Sequence, residues 1–222
     1  MQFNYKNKVK QIRKDILDIS FAANACHISS SLSCVKTLVE LFYIQEIKPE
    51  QFLFGKASGC AAYYAILADK EYFSKEKLVY YLRNYPLANV SVPGVIHSVG
   101  SVGHALSVAT GIALGNRNQQ FYVLLSDGDL MEGSTYEAAL FIGQHNLINL
   151  HVHIDDNKFV ACGKTKDILN LENAYIFYKK SITNFYKHNN IKGDGVDFMQ
   201  GSHHWHYKNL DSLLLKKALK QL

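Results

Sequence analysis

Two short apolar runs, Phe121–Leu125 and Leu150–Ile154, each open into a polar turn: Ser126-Asp127-Gly128-Asp129 after the first and Asp155-Asp156-Asn157-Lys158-Phe159 after the second. Between them Tyr136, Ala139, Leu140 and Gly143 recur at i, i+3, i+4 and i+7, the spacing of one helix face. Strand, helix and strand in that order form a crossover unit whose strands run parallel. Asp127 and Asn157 then both sit just past the carboxyl ends of their strands, and neighbouring strands lie roughly 5 Å apart. Two oxygen ligands converge on one point. Such a half-built site suits a hard cation, typically Mg²⁺, that keeps waters and takes further ligands from a substrate diphosphate. Gly128 lets backbone approach a phosphate closely. Taken singly, Asp127 is also an ordinary turn residue and Asn157 an ordinary helix cap; the pairing carries the argument.

The rest of the chain alternates helices with short apolar runs. Val9, Ile12, Ile16, Ile19 and Ala23 mark an amphipathic helix, and Val35, Leu38, Val39 and Phe42 a second that ends before Pro49. Phe52–Phe54 reads as a short strand, residues 60–68 as a small-residue helix buried on most sides, and residues 75–85 as a more polar helix stopped by Pro86. Residues 89–101 form a loop, and 103–114 a helix with Ala105, Val108, Ala109 and Ile112 on one face. Ala174, Phe177, Tyr178, Ile182 and Phe185 trace a long aromatic helix, 195–199 a strand and 213–222 a closing helix. The pattern predicts a three-layer α/β sandwich with a mainly parallel sheet, a single domain over 1–222.

Composition narrows the function classes. The net charge of +5 is spread along the chain, with no basic tract interleaved with aromatics, so a nucleic-acid groove is not expected. Cys26, Cys34, Cys60 and Cys162 lack CxxC spacing and read as reduced thiols rather than a zinc site. The polar N-terminus has no signal-peptide pattern and no apolar run is long enough to span a bilayer, so a cytoplasmic location is the expectation.

The paired turns resemble the thiamine-diphosphate signature, a Gly-Asp-Gly followed about thirty residues later by Asn. With GSVGHALSVATGIAL (100–114), LLSDGDLMEGSTYEAALFIGQHNLINL (124–150) and DDNKF (155–159), the chain resembles transketolase, most closely the split enzymes whose N-terminal half is a separate chain. The resemblance implies the thiamine-diphosphate-binding fold, with thiamine diphosphate and Mg²⁺ as cofactors. It assigns the metal to the Asp127 and Asn157 side chains and the Phe159 carbonyl, and cofactor contacts to Gly100, Val102, Gly128, Asp129 and Asn157. His27 corresponds to the family's early histidine. Trp205-His206-Tyr207 resembles Trp-His-Gly or Trp-His-Tyr, which makes His206 the late diphosphate-side histidine. Glu132 corresponds to an acidic residue facing the partner subunit near the second cofactor. His27, Glu132 and His206 are thus the candidate catalytic residues. Blander readings stand beside these: Gly100 and Val102 as a Gly-rich helix entry, and Glu132 as a first-turn acid complementing the helix dipole. His203 and His204 are weaker candidates on a His-rich loop of the kind that binds transition metals.

Departures accompany the matches. The glycines around His27 have become serines, and two family histidines align with Ser58 and Tyr85, which hydrogen-bond but do not supply a proton near neutral pH. Between Gly163 and Lys192 the family's Asp-Gly-His-Asp strand is absent, leaving room for little more than one helix. In the family, the activating glutamate belongs to a pyrimidine-binding domain on an opposing chain, and no such domain fits in this sequence. The expectation is therefore a hetero-oligomer with a separate pyrimidine-binding (C-terminal transketolase) subunit, moving a two-carbon ketol unit between sugars or sugar phosphates. A degenerate, non-catalytic partner of the same fold is the alternative.

Overall fold

A computed structural model of the chain describes residues 3–222. Four strands, β1 (Phe52–Phe54), β2 (Phe121–Ser126), β3 (Leu150–Asp156) and β4 (Phe185–Asn189), form one parallel sheet in the order β1-β2-β3-β4. Alternation along each strand sends side chains to two separate cores. Leu53, Val123, Leu125, Val152 and Ile154 meet α5 (His104–Gly115), α6 (Gly133–Gln144) and α8 (Glu172–Ser181). Phe52, Phe54 and Leu124 meet α1 (Tyr5–Ala23), α2 (Ile28–Val39), α3 (Cys60–Asp69) and α4 (Leu78–Asn84), with the closing α9 (Ser212–Leu219) against the same cluster. α7 (Thr165–Ile168) is a single turn. The three-layer parallel α/β sandwich read from the sequence is the fold observed.

Several local expectations change. α2 begins at Ile28, seven residues before the predicted face, because Ser29, Ser30, Ser31 and Ser33 are buried inside it. It continues into a π-helical turn at Glu40–Ile44. Residues 195–199 are not a strand. Gly193 and Gly195 sit at φ of +79° and +95°, and Asp197–Met199 closes a 3₁₀ turn, so the backbone coils where extension was expected. The last strand lies earlier, at β4, and Phe185 opens it rather than extending α8. Tyr178 is fully buried, with its hydroxyl donating to the Leu130 carbonyl at 3.2 Å, and Phe177 and Phe185 are half-buried. On α6 the buried stripe is Thr135, Ala138, Ala139 and Ile142, which leaves Leu140 59% exposed. All four cysteines are free. Among the described residues no helix is long and apolar enough to cross a membrane.

Gly143 belongs to the predicted α6 face for a reason of contact. A Cβ there would lie 2.8 Å from the Ser181 carbonyl oxygen at the end of α8. An exposed helical Gly→Ala change ordinarily stabilises by about 1 kcal/mol. Here Gly143→Ala is expected to lose about 1–3 kcal/mol through overpacking, read from the urea midpoint.

Candidate active site

Ser126 of β2 pairs with Asp155 of β3, so the turns after both strands emerge side by side at the carboxyl edge of the sheet. A cavity of about 460 Å³ opens there. Its lining combines the polar His27, Lys56, Ser58, Asp127, Lys192 and His206 with the apolar Leu87, Val102, Met131, Phe159, Val160 and Ile168. Of the residues singled out in the sequence, His27, Gly100, Val102, Asp127, Gly128, Asp129, Glu132, Phe159 and His206 line it. Asn157 does not; it is buried beside Asp155.

Four carboxylates cluster at the strand ends, and three are consumed by internal partners. Asp129 Oδ1 accepts from the Gly103 N–H at 2.8 Å, and its Oδ2 from the Ser126 N–H and hydroxyl at 2.8 and 2.6 Å. Asp129 therefore ties β2 to the start of α5 instead of offering its carboxylate to the cavity. Gly103 holds φ +89° there, and a Cβ on it would lie 2.5 Å from the Glu132 Cβ. Asp156 is paired with Lys187 at 2.9 Å and with Lys158. Asp155 is fully buried and paired with Lys56 at 2.9 Å. Burial works against its charge, but Lys56 and the hydrogen bonds from Ser33 and Asn190 hold its carboxyl below the usual range.

Asp127 is the exception. It is 1% exposed and its Oδ2 has no hydrogen-bond partner. Burial, opposed in part by Lys56 and reinforced by Asp155 and Asp156, pushes it up to about 7. An orphaned buried carboxylate oxygen facing a cavity is the feature a cation fits. Asn157 Oδ1 accepts the Phe159 N–H at 3.0 Å and keeps a second lone pair. The donors are hard oxygens, as Mg²⁺ requires. Among the described residues no cluster of three or more His, Cys, Asp or Glu side chains is arranged for a metal, so His203 and His204, whose rings lie tilted with centroids 4.1 Å apart, form no such centre.

The glycines act by leaving space. Gly128 has an ordinary helical φ of −63°, and a Cβ there would press on Val160 at 3.3 Å. Beside Gly100 a Cβ would meet only Leu87, at 4.0 Å. Glu132 is exposed at the mouth, as is Val102.

The two histidines form one unit. His27 takes φ +64° at the start of α2, and its ring lies edge-on to His206 at 4.7 Å. His206 Nδ1 is 3.1 Å from Lys192 Nζ and 3.4 Å from Ser30 Oγ. A lysine ammonium only donates, so Nδ1 accepts and Nε2 carries the proton. Burial, then Lys192, His27 and Lys56, lowers His206 to about 3, and burial with Lys192 and Lys56 also lowers His27. Burial and Lys56 bring Lys192 down to about 8. Near neutral pH both imidazoles are uncharged and the lysine is mostly protonated. Ser58 faces the cavity, whereas Tyr85 is half-buried beside Tyr81 and lies outside the lining.

Sequence reasoning missed Lys56, Lys192, Asp155 and Ser33 as members of the site. Lys56 had a signal available, since it follows β1 at the same edge of the sheet as Asp127. Lys192 is delivered by a loop with two left-handed glycines, whose place at the cavity hydrophobic periodicity does not reveal.

The ionisations give a pH dependence. His153 and His206 have folded-state values of about 3 against about 6.5 when unfolded, so their contribution is present above pH 6.5 and lost as pH falls below it. Asp127, raised to about 7, works the other way, favouring the fold as pH falls from 7 towards its unfolded 3.8. The histidines outweigh it, with His27 and His188 shifted in the same direction. Urea unfolding is expected to show a net loss of about 1–3 kcal/mol from pH 7 to 5, and Asp127→Asn should deepen that loss.

Comparison with known proteins fits this geometry. The family model described as 1-deoxy-D-xylulose-5-phosphate synthase matches residues 2–209. An apulose-4-phosphate transketolase subunit of Actinobacillus succinogenes is 30% identical, with 98% of this chain and 95% of that protein aligned. Its counterpart of the same name in Phocaeicola vulgatus is 29% identical over 88% of this chain and 85% of its own length. A 6-deoxy-6-sulfo-D-fructose transketolase subunit, SqwG, of a Clostridium species is 26% identical over 100% and 97%. The solved transketolase of Campylobacter jejuni superposes with a TM-score of 0.86 at 21% identity; all of this chain is matched, but only 43% of that one. The chain belongs to the transketolase family and is similar over most of its length to proteins that are themselves transketolase subunits.

Proposed function

We propose that this chain is the diphosphate-binding half of a thiamine-diphosphate-dependent enzyme that transfers a two-carbon ketol unit between sugars or sugar phosphates. The observation that carries the reading is the buried Asp127 carboxylate, one of whose oxygens has no partner, in the lining of the cavity. Asp127, Asn157 and the Phe159 carbonyl would hold Mg²⁺ against the cofactor's diphosphate, with Gly100, Val102 and Gly128 leaving room for its rings and phosphates. When bound, the cofactor supplies carbanion stabilisation. The protein contributes binding, orientation and proton placement. Val102, Met131, Phe159 and Ile168 exclude water with apolar surface. In the polar part of the lining, neutral His27 and His206 offer hydrogen bonds without added charge, and Lys192, whose side-chain partner is a neutral imidazole, adds a cation facing an anionic ligand.

The cavity reaches the surface, where Val102 and Glu132 are exposed. Leu140, Phe141 and Val102 are 59%, 42% and 45% exposed on and beside α5 and α6, and Glu132 stands at the cavity mouth. These features support a second chain closing over the pyrimidine end, in an assembly with two copies of each half. Such an obligate interface buries more than about 2,000 Å².

Asp127→Ala tests the metal assignment with opposite signs in two measurements. Calorimetric affinity for Mg²⁺ and cofactor should fall by roughly 2–4 kcal/mol. The ligand-free variant should melt higher than wild type, because an uncompensated buried carboxylate is gone. Unchanged metal-dependent binding refutes the assignment. Ketol transfer is expected only when this chain is copurified with a pyrimidine-binding subunit. Turnover and tight cofactor binding by the monomer alone would overturn the two-chain reading, and a folded complex without turnover would favour a non-catalytic role.

A further inference from the structure

The amide of Asn157 has its orientation dictated from behind. Its Nδ2 lies 2.8 Å from Asp155 Oδ2 and 3.1 Å from Ser33 Oγ, while Oδ1 receives the Phe159 N–H at 3.0 Å. An ionised carboxylate only accepts and a backbone N–H only donates. Reversing the amide would set oxygen against carboxylate oxygen and NH₂ against N–H, so a single orientation survives. Asp155 is itself pinned, by Ser33 Oγ at 2.7 and 3.0 Å, Asn190 Nδ2 at 2.5 Å and Lys56 Nζ at 2.9 Å. It is fully buried, is not part of the cavity lining and has no oxygen left over for a ligand.

We infer that Asp155 is the positioning residue of the cation site: through Asn157 it presents Oδ1, rather than Nδ2, alongside Asp127. This rests on the metal-site reading above and adds a residue that touches neither the metal nor the cofactor. A lost orienting partner typically weakens metal affinity 10–100-fold.

The test is Mn²⁺ binding to the full chain in the presence of thiamine diphosphate, followed by electron paramagnetic resonance, with ligand-free melting measured in parallel. Ser33→Ala removes one amide partner without disturbing charge. Asp155→Asn is made in a Lys56→Met background and compared with Lys56→Met alone, so that no unpaired buried ammonium is created. Mn²⁺ affinity is expected to drop about 10-fold in Ser33→Ala and 10–100-fold on adding Asp155→Asn. If the double variant does not fold, Ser33→Ala decides. A lower melting temperature with unchanged Mn²⁺ affinity in the folded variants would mean that Asp155 is merely structural, and the inference falls. Absence of saturable Mn²⁺ binding in wild type would instead refute the metal site itself.

Discussion

A buried ion pair, Lys56 with Asp155, joins the segments from which the cavity is made. Lys56 follows β1, Asp155 is the next-to-last residue of β3, Ser33 reaches across from α2, and Asn190 follows β4 and also donates to Thr37 at 3.1 Å. Lys56 and Asp155 are 3% and 0% exposed. Removing either partner of such a pair leaves an uncompensated charge and costs roughly 3–5 kcal/mol, although the intact pair adds little net stability over an apolar replacement. Its value lies in specification. It fixes where three strand ends and a helix meet, and the amide of Asn157 is aimed by the same carboxylate.

Charge is distributed unevenly around that pair. Asp129, Asp155 and Asp156 are each neutralised or fully hydrogen-bonded by the chain, and Asp127 alone keeps an unpaired oxygen. Lining the same cavity, Lys192 is buried with a neutral imidazole for its side-chain partner. One unpaired acid and one weakly partnered cation facing the same space break the rule that buried charges are paired. Such local violations are expected at functional sites, where a ligand supplies the missing partner.

The sequence made the inner part of this arrangement legible and the outer part not. The Asp127 and Asn157 turns could be read because two apolar runs, a helix period and a parallel crossover leave little choice about where strand ends fall. Long-range partners leave no periodic trace, so Lys56 and Ser33 looked unremarkable although they lie 122 residues or fewer from Asp155 in the chain and within hydrogen-bonding distance in space. Asp129 sits in the signature and looked like a ligand, yet its oxygens are spent on Ser126 and Gly103. The apolar run at 195–199 looked like a strand because Val196, Phe198 and Met199 suit one; the left-handed glycines on its N-terminal side override that preference. Leu140 misled for another reason. An exposed leucine fits the helix period, but its face is turned away from the sheet.

The stretch between Gly163 and Lys192 carries α7, α8 and the edge strand β4, and its Ile168 and Lys192 line the cavity. The sheet order is β1-β2-β3-β4, so β4 is an edge strand, and the cavity is built at the β1, β2 and β3 ends. Tyr178 of α8 closes the core beneath that edge, packing on Tyr136 at 4.9 Å and on Phe185 at 6.0 Å. The chain then has to return from the edge to the cavity in a few residues. It does so at Gly193, whose φ of +79° turns the backbone and whose N–H donates to the Ser29 carbonyl at 2.9 Å on α2. That contact holds Lys192 beneath His206. A Cβ at Gly193 would lie 2.5 Å from the Met199 carbonyl oxygen, so glycine is required by space as well as by conformation. One tight turn thus joins the sheet edge to the cavity and delivers the last cationic side chain to the site.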